Sequence, residues 1–248
     1  MKNKALLLFI AVFFNSYFCL IAQEDKDLTI EDAVIGQYRH LYPEYISQLK
    51  WRGSTEKFTF VENNTLLQCD VQSEDTLTLL SLDDLNKGLA ENDLDSLHYF
   101  PRINWFNDNE ILFQSGKIYF IYHIGDKELT YNLEIPENAE NADFCKENKF
   151  VAYTIENNLY LTTSDGEQIQ ITDNEKGIVS GKYAHRREFG IGKGIFWSPK
   201  GNYIAFYRKD EKEITDYPLV HINERIARLE NIKYPMAGTK SEEVTLGV

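Results

Sequence analysis

Positive charge is scarce in this 248-residue chain, with 26 Lys and Arg against 39 Asp and Glu and a formal net charge of -13. Such a chain has no basic field to draw in a phosphate backbone or an anionic lipid surface, so nucleic acid is set aside as a partner. Cysteine is scarce too, three in all, at spacings that match no zinc pattern. The acid pairs Asp83-Asp84 and Asp93-x-Asp95 lack the glycine and distal glutamate of a calcium loop and are expected to be solvated acids in an insertion. No metal and no cofactor is therefore expected. Gly190-x-Gly192-x-Gly194 lacks the strand-to-helix setting and the lysine-serine ending of a phosphate loop, and is read as a flexible loop tail.

What the chain does have begins with one apolar run, Ala5 through Leu20, behind Met1-Lys2-Asn3-Lys4 and ahead of Ile21-Ala22-Gln23. This is the layout of a secretory leader over residues 1–22, cut after Ala22, and it implies export. A retained membrane anchor is the competing reading, against which stand the run's shortness and its interruption at Asn15 and Ser16. Lipidation at Cys19 is disfavoured because Phe18 stands where a small residue is needed. Cleavage removes Lys2 and Lys4, so the mature charge is 24 minus 39, or -15. Cys69 and Cys145 remain and are expected as two separate buried thiols, a bridge being the alternative in an oxidising compartment.

With 43% hydrophobic and 13% aromatic residues the chain can build a core. Over residues 29–42, within an N-terminal segment spanning 23–44, Ile30, Val34, Tyr38 and Leu41 recur at helical spacing between a Thr29 cap and Pro43, which predicts one short helix. From residue 45 the period falls to two, with turn residues every eight to twelve positions, about the spacing of many short strands. Internal similarity then organises the chain. Thr59 to Leu67 matches Tyr153 to Leu161, and Ile111 to Phe120 is a third copy. Trp51, Trp105 and Phe144 precede these copies, and a fourth unit opens at Phe196-Trp197-Ser198-Pro199. A recurrence of about 40 to 55 residues is what radial repetition of four-stranded blades produces. A β-sandwich with similar hairpin turns is the alternative. The last unit is incomplete, and Val244 to Val248 reads as a strand entering its sheet.

Trp197-Ser198-Pro199-Lys200-Gly201-Asn202-Tyr203-Ile204-Ala205-Phe206, preceded by His185-Arg186-Arg187-Glu188-Phe189-Gly190-Ile191 and followed by Tyr234-Pro235-Met236-Ala237-Gly238, resembles the propeller of the dipeptidyl peptidase IV family, especially its bacterial branch. The order of the earlier segments agrees over nearly all of the mature chain. The resemblance implies an all-β fold, a partial β-propeller of about four four-stranded antiparallel blades of an expected eight, with a short N-terminal helix. Residues 45–248 would be the N-terminal half of that propeller. The family's α/β-hydrolase domain, which cuts dipeptides from peptide N-termini, preferably after proline, is expected to be missing, because the chain holds no Gly-x-Ser-x-Gly elbow. The chain would then be inactive alone and serve substrate gating in an exported serine exopeptidase, periplasmic, cell-surface or secreted in a bacterium.

The resemblance also assigns residues. In the family two adjacent propeller glutamates hold the ammonium of the substrate's N-terminus, a charge-assisted contact that counts residues from the chain end. The second matches Glu188. The first is replaced by Arg187, which could neutralise Glu188 or turn away from it. The bland reading of Glu188 is a solvated carboxylate paired with Arg186 or Arg187, and a metal role with His185 lacks further ligands. A family arginine that holds a substrate carbonyl has Lys127 as a loose counterpart, which by default is a turn residue. Expected partners are peptide N-termini, the missing hydrolase domain and a second copy in a full-length homodimer. The competing function is a non-enzymatic exported propeller that binds peptide or protein partners.

Overall fold

The computed structural model describes residues 27–73 and 75–248, so the leader reading over residues 1–22 lies outside the described residues. Contacts divide the chain into two units, Met1–Tyr45 and Ile46–Val248. In the first, Thr29 caps helix α1 (Ile30–Val34) through a reciprocal pair: its Oγ1 accepts from the Asp32 amide at 3.0 Å, and the Asp32 carboxylate accepts from the Thr29 amide at 3.2 Å. The single helix expected over 29–42 is shorter than its periodicity suggested, with a 3-10 turn over Gly36–Tyr38 taking its place after Val34. Glycine is a poor helix residue, by about 1 kcal/mol relative to alanine, and here it lets the chain fold back. A Cβ at Gly36 would stand 3.0 Å from the His40 ring, whose Nε2 lies 3.0 Å from Asp32 Oδ1.

The second unit is built of sequential antiparallel meanders. The first sheet is β1 (Ser47–Trp51), β2 (Lys57–Glu62), β3 (Thr65–Asp70) and β4 (Thr76–Ser81), in that order. The second is β5 (Ile103–Trp105), β6 (Glu110–Ser115), β7 (Ile118–His123) and β8 (Glu128–Glu134). The third is β9 (Glu140–Cys145), β10 (Phe150–Ile155), β11 (Asn158–Thr162) and β12 (Gln168–Gln170). In the fourth, β13 (Ile178–Ser180) and β14 (Ile195–Trp197) pair with successive stretches of β15 (Ile204–Asp210). A separate hairpin, β16 (Asp216–His221) and β17 (Arg228–Lys233), follows before β18 (Glu243–Gly247) returns to the other edge of β15. β18 thus lies beside β15 in the fourth sheet.

The repeated turns are equal in length but not in phase. Asn63 and Asn64, both at positive φ (48 and 59°), make the two-residue loop between Glu62 and Thr65, the backbone that a tight right-twisted hairpin needs. In the third sheet the loop is Glu156 and Asn157, between Ile155 and Asn158. The matched Asn-Asn pairs therefore differ by one position, which exchanges the faces of the flanking strands.

Consecutive sheets pack on one another through three apolar clusters. The first joins Leu66 and Leu80 to Ile111, Phe113 and Tyr122 of the second sheet, together with Leu85 and Leu89. These two leucines belong to α2 (Leu82–Ala90), a helix within the insertion where only solvated acids were expected. Ser81 caps it, and Asp84 is half-buried in that cap, its Oδ2 accepting from the Ser81 amide at 3.1 Å. The helix lies close on Tyr122, whose hydroxyl donates to the Asp84 carbonyl at 3.1 Å. Burial, and then the Asp84 and Glu91 charges, push that phenol up to about 12. Tyr119, Leu133, Val151 and Tyr153 join the second sheet to the third, and Ala152, Leu159, Ile195 and Phe206 join the third to the fourth.

The aromatics that open the repeats act between sheets. Trp105 Nε1 donates to the buried Thr59 Oγ1 at 3.0 Å, and Trp197 Nε1 donates to the Asp143 carbonyl at 3.1 Å. Cys145 is buried and Cys69 only half-buried, and both are free thiols.

Candidate functional site

The segment after β13 carries Glu188. Residues 185–190 form a tight coil in which His185, Arg186, Arg187 and Phe189 all have φ between 48 and 65°. Four non-glycine residues in the left-handed region cost roughly 1 kcal/mol each or more, so the coil depends on anchors. Glu242, with its side chain 5% exposed, supplies them. It accepts from the His185 amide at 2.7 Å, lies 3.3 Å from His185 Nδ1, and stands 3.9 Å from Arg186 Nη1. Tyr234 lends its ring face to the Arg186 guanidinium at 4.8 Å. Glu242 carried no sequence signal because it lies 57 positions from His185.

Glu188 projects from this coil half-exposed, and its nearest cation is Arg186 at 3.5 Å. Arg187 turns away, with its guanidinium 4.4 Å above the Tyr183 ring. The question left open by an arginine next to Glu188 is thus answered geometrically: Arg187 does not pair with the carboxylate, and Arg186 approaches it at the outer limit of a hydrogen bond.

Arg187 instead lines a groove of about 550 Å³ with Tyr183, Lys182, Lys117, Glu140 and Asn141. Lys117 sits in the β6–β7 turn and donates to the Ala139 carbonyl at 2.6 Å. Lys182 Nζ faces Glu140 Oε2 at 3.6 Å. Asn141, at a φ of 51°, donates to the buried Thr154 hydroxyl at 2.8 Å and so holds the start of β9. Sequence reasoning missed Lys117, in the β6–β7 turn, and the adjacent Lys182 and Tyr183, in the connection after β13, which share no motif.

Lys127 is placed elsewhere. It occupies the β7–β8 turn at a φ of 57° and its ammonium lies 2.9 Å from Asp84 Oδ1, beside α2. That hydrogen bond is the main cause holding the Asp84 carboxyl below its ordinary value. Lys127→Gln should destabilise the fold by at most about 1 kcal/mol near neutral pH, since both partners are partly exposed. A depressed carboxylate stabilises above its unfolded value of 3.8 and loses that contribution as pH falls through its lower folded value. The gap in denaturant midpoint between the parent and Lys127→Gln should therefore close below that pH. A gap that persisted in acid would assign the cost to packing. Among the described residues no group of three or more His, Cys, Asp or Glu is placed to hold a metal.

Comparison with known proteins bears on the same region. The family model of the dipeptidyl peptidase IV N-terminal region matches residues 114–248, which contain Lys117, Lys182, Arg187, Glu188 and Glu242. An assigned dipeptidyl-aminopeptidase B of Pyrenophora tritici-repentis is 32% identical over 132 residues, 45% of this chain and 15% of that protein. Dipeptidyl aminopeptidase B of Saccharomyces cerevisiae is 26% identical over 140 residues, 52% of this chain and 17% of that protein. A crystal structure from Bacteroides ovatus, assigned as a dipeptidyl aminopeptidase IV, is 34% identical with a TM-score of 0.76, over 89% of this chain and 31% of that one. Porphyromonas gingivalis dipeptidyl peptidase 4 shares the fold at 18% identity and a TM-score of 0.60, over 90% and 33%. The chain spans less than a fifth of these curated relatives and about a third of the solved chains. Its sheets are those of a partial β-propeller of this kind.

Proposed function

We propose, on the premise that the chain belongs to the dipeptidyl peptidase IV family through its N-terminal region, that it is the substrate-gating propeller portion of an exported serine exopeptidase. Glu188 receives the ammonium of a peptide's amino end, and the enzyme removes N-terminal dipeptides, preferably X-Pro. The observation that carries this reading is a half-exposed carboxylate on an anchored coil, from which Arg187 turns away and which Arg186 approaches only at 3.5 Å. A carboxylate held this way discriminates a terminal ammonium, which can form a charge-assisted hydrogen bond, from an internal amide, which cannot. The nucleophile is assigned to an α/β-hydrolase domain outside these 248 residues. Export rests on the leader reading of residues 1–22.

The hairpin of β16 and β17 supports a homodimer of the full-length protein. Val220, Ile222, Ile226 and Leu229 are exposed there, at 57 to 84%, an apolar group of the kind that a partner copy covers.

The test is an X-Pro chromogenic amide offered to the complete protein and to the 248-residue chain. Turnover by the complete protein, blocked by a serine-reactive reagent and abolished by acetylating the substrate's amine, is expected, with none from the short chain. Equal turnover of free and acetylated substrates would remove the amine-recognition role. Sedimentation of the same preparation reads the dimer, which a single-protomer mass would exclude.

A further inference from the structure

The groove beside Glu188 is cationic in a strongly acidic chain. Lys117, Lys182 and Arg187 line it against one carboxylate, Glu140, whereas the whole sequence carries a net charge of -13. Charges of one sign do not gather in a shared concavity without a cost in mutual repulsion, and an anion relieves it. The donors are also open. Lys117 has an ammonium with three hydrogens and one short bond, to the Ala139 carbonyl. Lys182, with its side chain 26% exposed, meets Glu140 only at 3.6 Å, and the Glu140 side chain is 65% exposed and free to swing out. Arg187 stacks its guanidinium face on Tyr183, and among the described residues no carboxylate lies within ion-pair distance of it. A guanidinium held over a ring face keeps N–H donors with which it can grip a carboxylate through two parallel bonds.

We propose that this groove is a carboxylate-binding subsite, which takes an acidic group of a peptide ligand on Lys182 and Arg187 with Lys117 as the third cation. The assignment rests on the reading of Glu188 only in that both place a peptide here. Arg187 and Glu188, adjacent in the chain and turned apart, then read two opposite charges of one ligand. The acid is either the side chain of the first residue or the carboxyl end of a dipeptide, and the chemistry of the groove is the same for both.

Calorimetric titration of the intact protein separates the sources with three ligands that have no scissile bond: glutamyl-pyrrolidide, glutaminyl-pyrrolidide and free Gln-Pro. At least one of the two acid-bearing ligands should bind about tenfold more tightly than glutaminyl-pyrrolidide, whose side chain is uncharged, by an advantage that shrinks with added salt. The tighter of the two identifies the source. Lys182→Gln and Arg187→Gln should each remove most of the advantage, and Glu140→Gln should enlarge it by freeing Lys182, a gain that misfolding cannot mimic. Equal affinity for all three ligands, or a preference that survives in the Lys182→Gln and Arg187→Gln double variant, would overturn the proposal. N-acetyl-glutamyl-pyrrolidide keeps the two readings distinct. If acetylation leaves affinity unchanged while the acid preference persists, the amine role of Glu188 falls and the carboxylate subsite stands.

Discussion

Glu188→Gln in the complete protein is expected to lower kcat/KM for free-amine X-Pro substrates by roughly ten- to hundredfold, the equivalent of losing one charge-assisted hydrogen bond of about 1.5 to 3 kcal/mol. The substitution keeps the shape and one acceptor oxygen, so it removes charge without opening a gap. The coil should persist, because its anchors are Glu242 and Tyr234 and not Glu188. Arg186 loses only a weak partner at 3.5 Å and keeps its seat on the Tyr234 ring. The diagnostic is selectivity: the variant should lose efficiency toward free-amine substrates and leave whatever slow turnover N-acetylated ones show. An unchanged kcat/KM would mean that Glu188 is a solvated coil carboxylate and nothing more.

Gly194→Ala should be among the most damaging single changes near the groove. Along the edge of β15 where the ends of β13 and β14 meet, a Cβ at Gly194 would lie 2.3 Å from the carbonyl carbon and oxygen of Lys182 and 2.7 Å from the Gly181 oxygen. These are backbone atoms, which cannot swing aside as a side-chain tip can. Gly181 is itself at a φ of 79° and bonded through its amide to the Tyr207 carbonyl, while Tyr207 donates to the Gly194 carbonyl. The three stretches are therefore locked together. Overpacking of this kind typically costs 1 to 3 kcal/mol, about the stability that many domains can spare. The displaced segment carries Lys182 and Tyr183, so affinity in the groove should fall along with the denaturant midpoint. A midpoint unchanged from the parent would show that the sheet opens at this point more easily than its backbone bonds suggest.

Much of the fold was legible because it repeats. Trp51 and Trp105 end the first strand of their sheets and Trp197 ends β14, and Asn63-Asn64 sits where a two-residue turn needs positive φ. The Thr29 cap was read from its side chain alone, although the helix behind it proved shorter. Helix α2 was not legible. Its nine residues hold three leucines behind the capping Ser81, too short a run for helical period to stand out, and it exists because Leu85 and Leu89 find the cleft between the first two sheets. The groove was equally hidden. Lys117 and Lys182 are separated by 65 positions, and only the stacking of sheets brings a β6–β7 turn beside the segment after β13.

For Glu188, sequence resemblance was sufficient to nominate the residue, and it left Arg187 beside it as an unresolved conflict. Alternation and turn chemistry, which act between neighbours in the chain, determined the strands, their hairpins and the order of the sheets. The direction in which the three adjacent side chains point was decided by what tertiary packing set beside them: Tyr183 for Arg187, Tyr234 and Glu242 for Arg186, and solvent beyond a distant Arg186 for Glu188. Contacts between residues tens of positions apart depend on the packing of whole sheets, and no local period or motif encodes them.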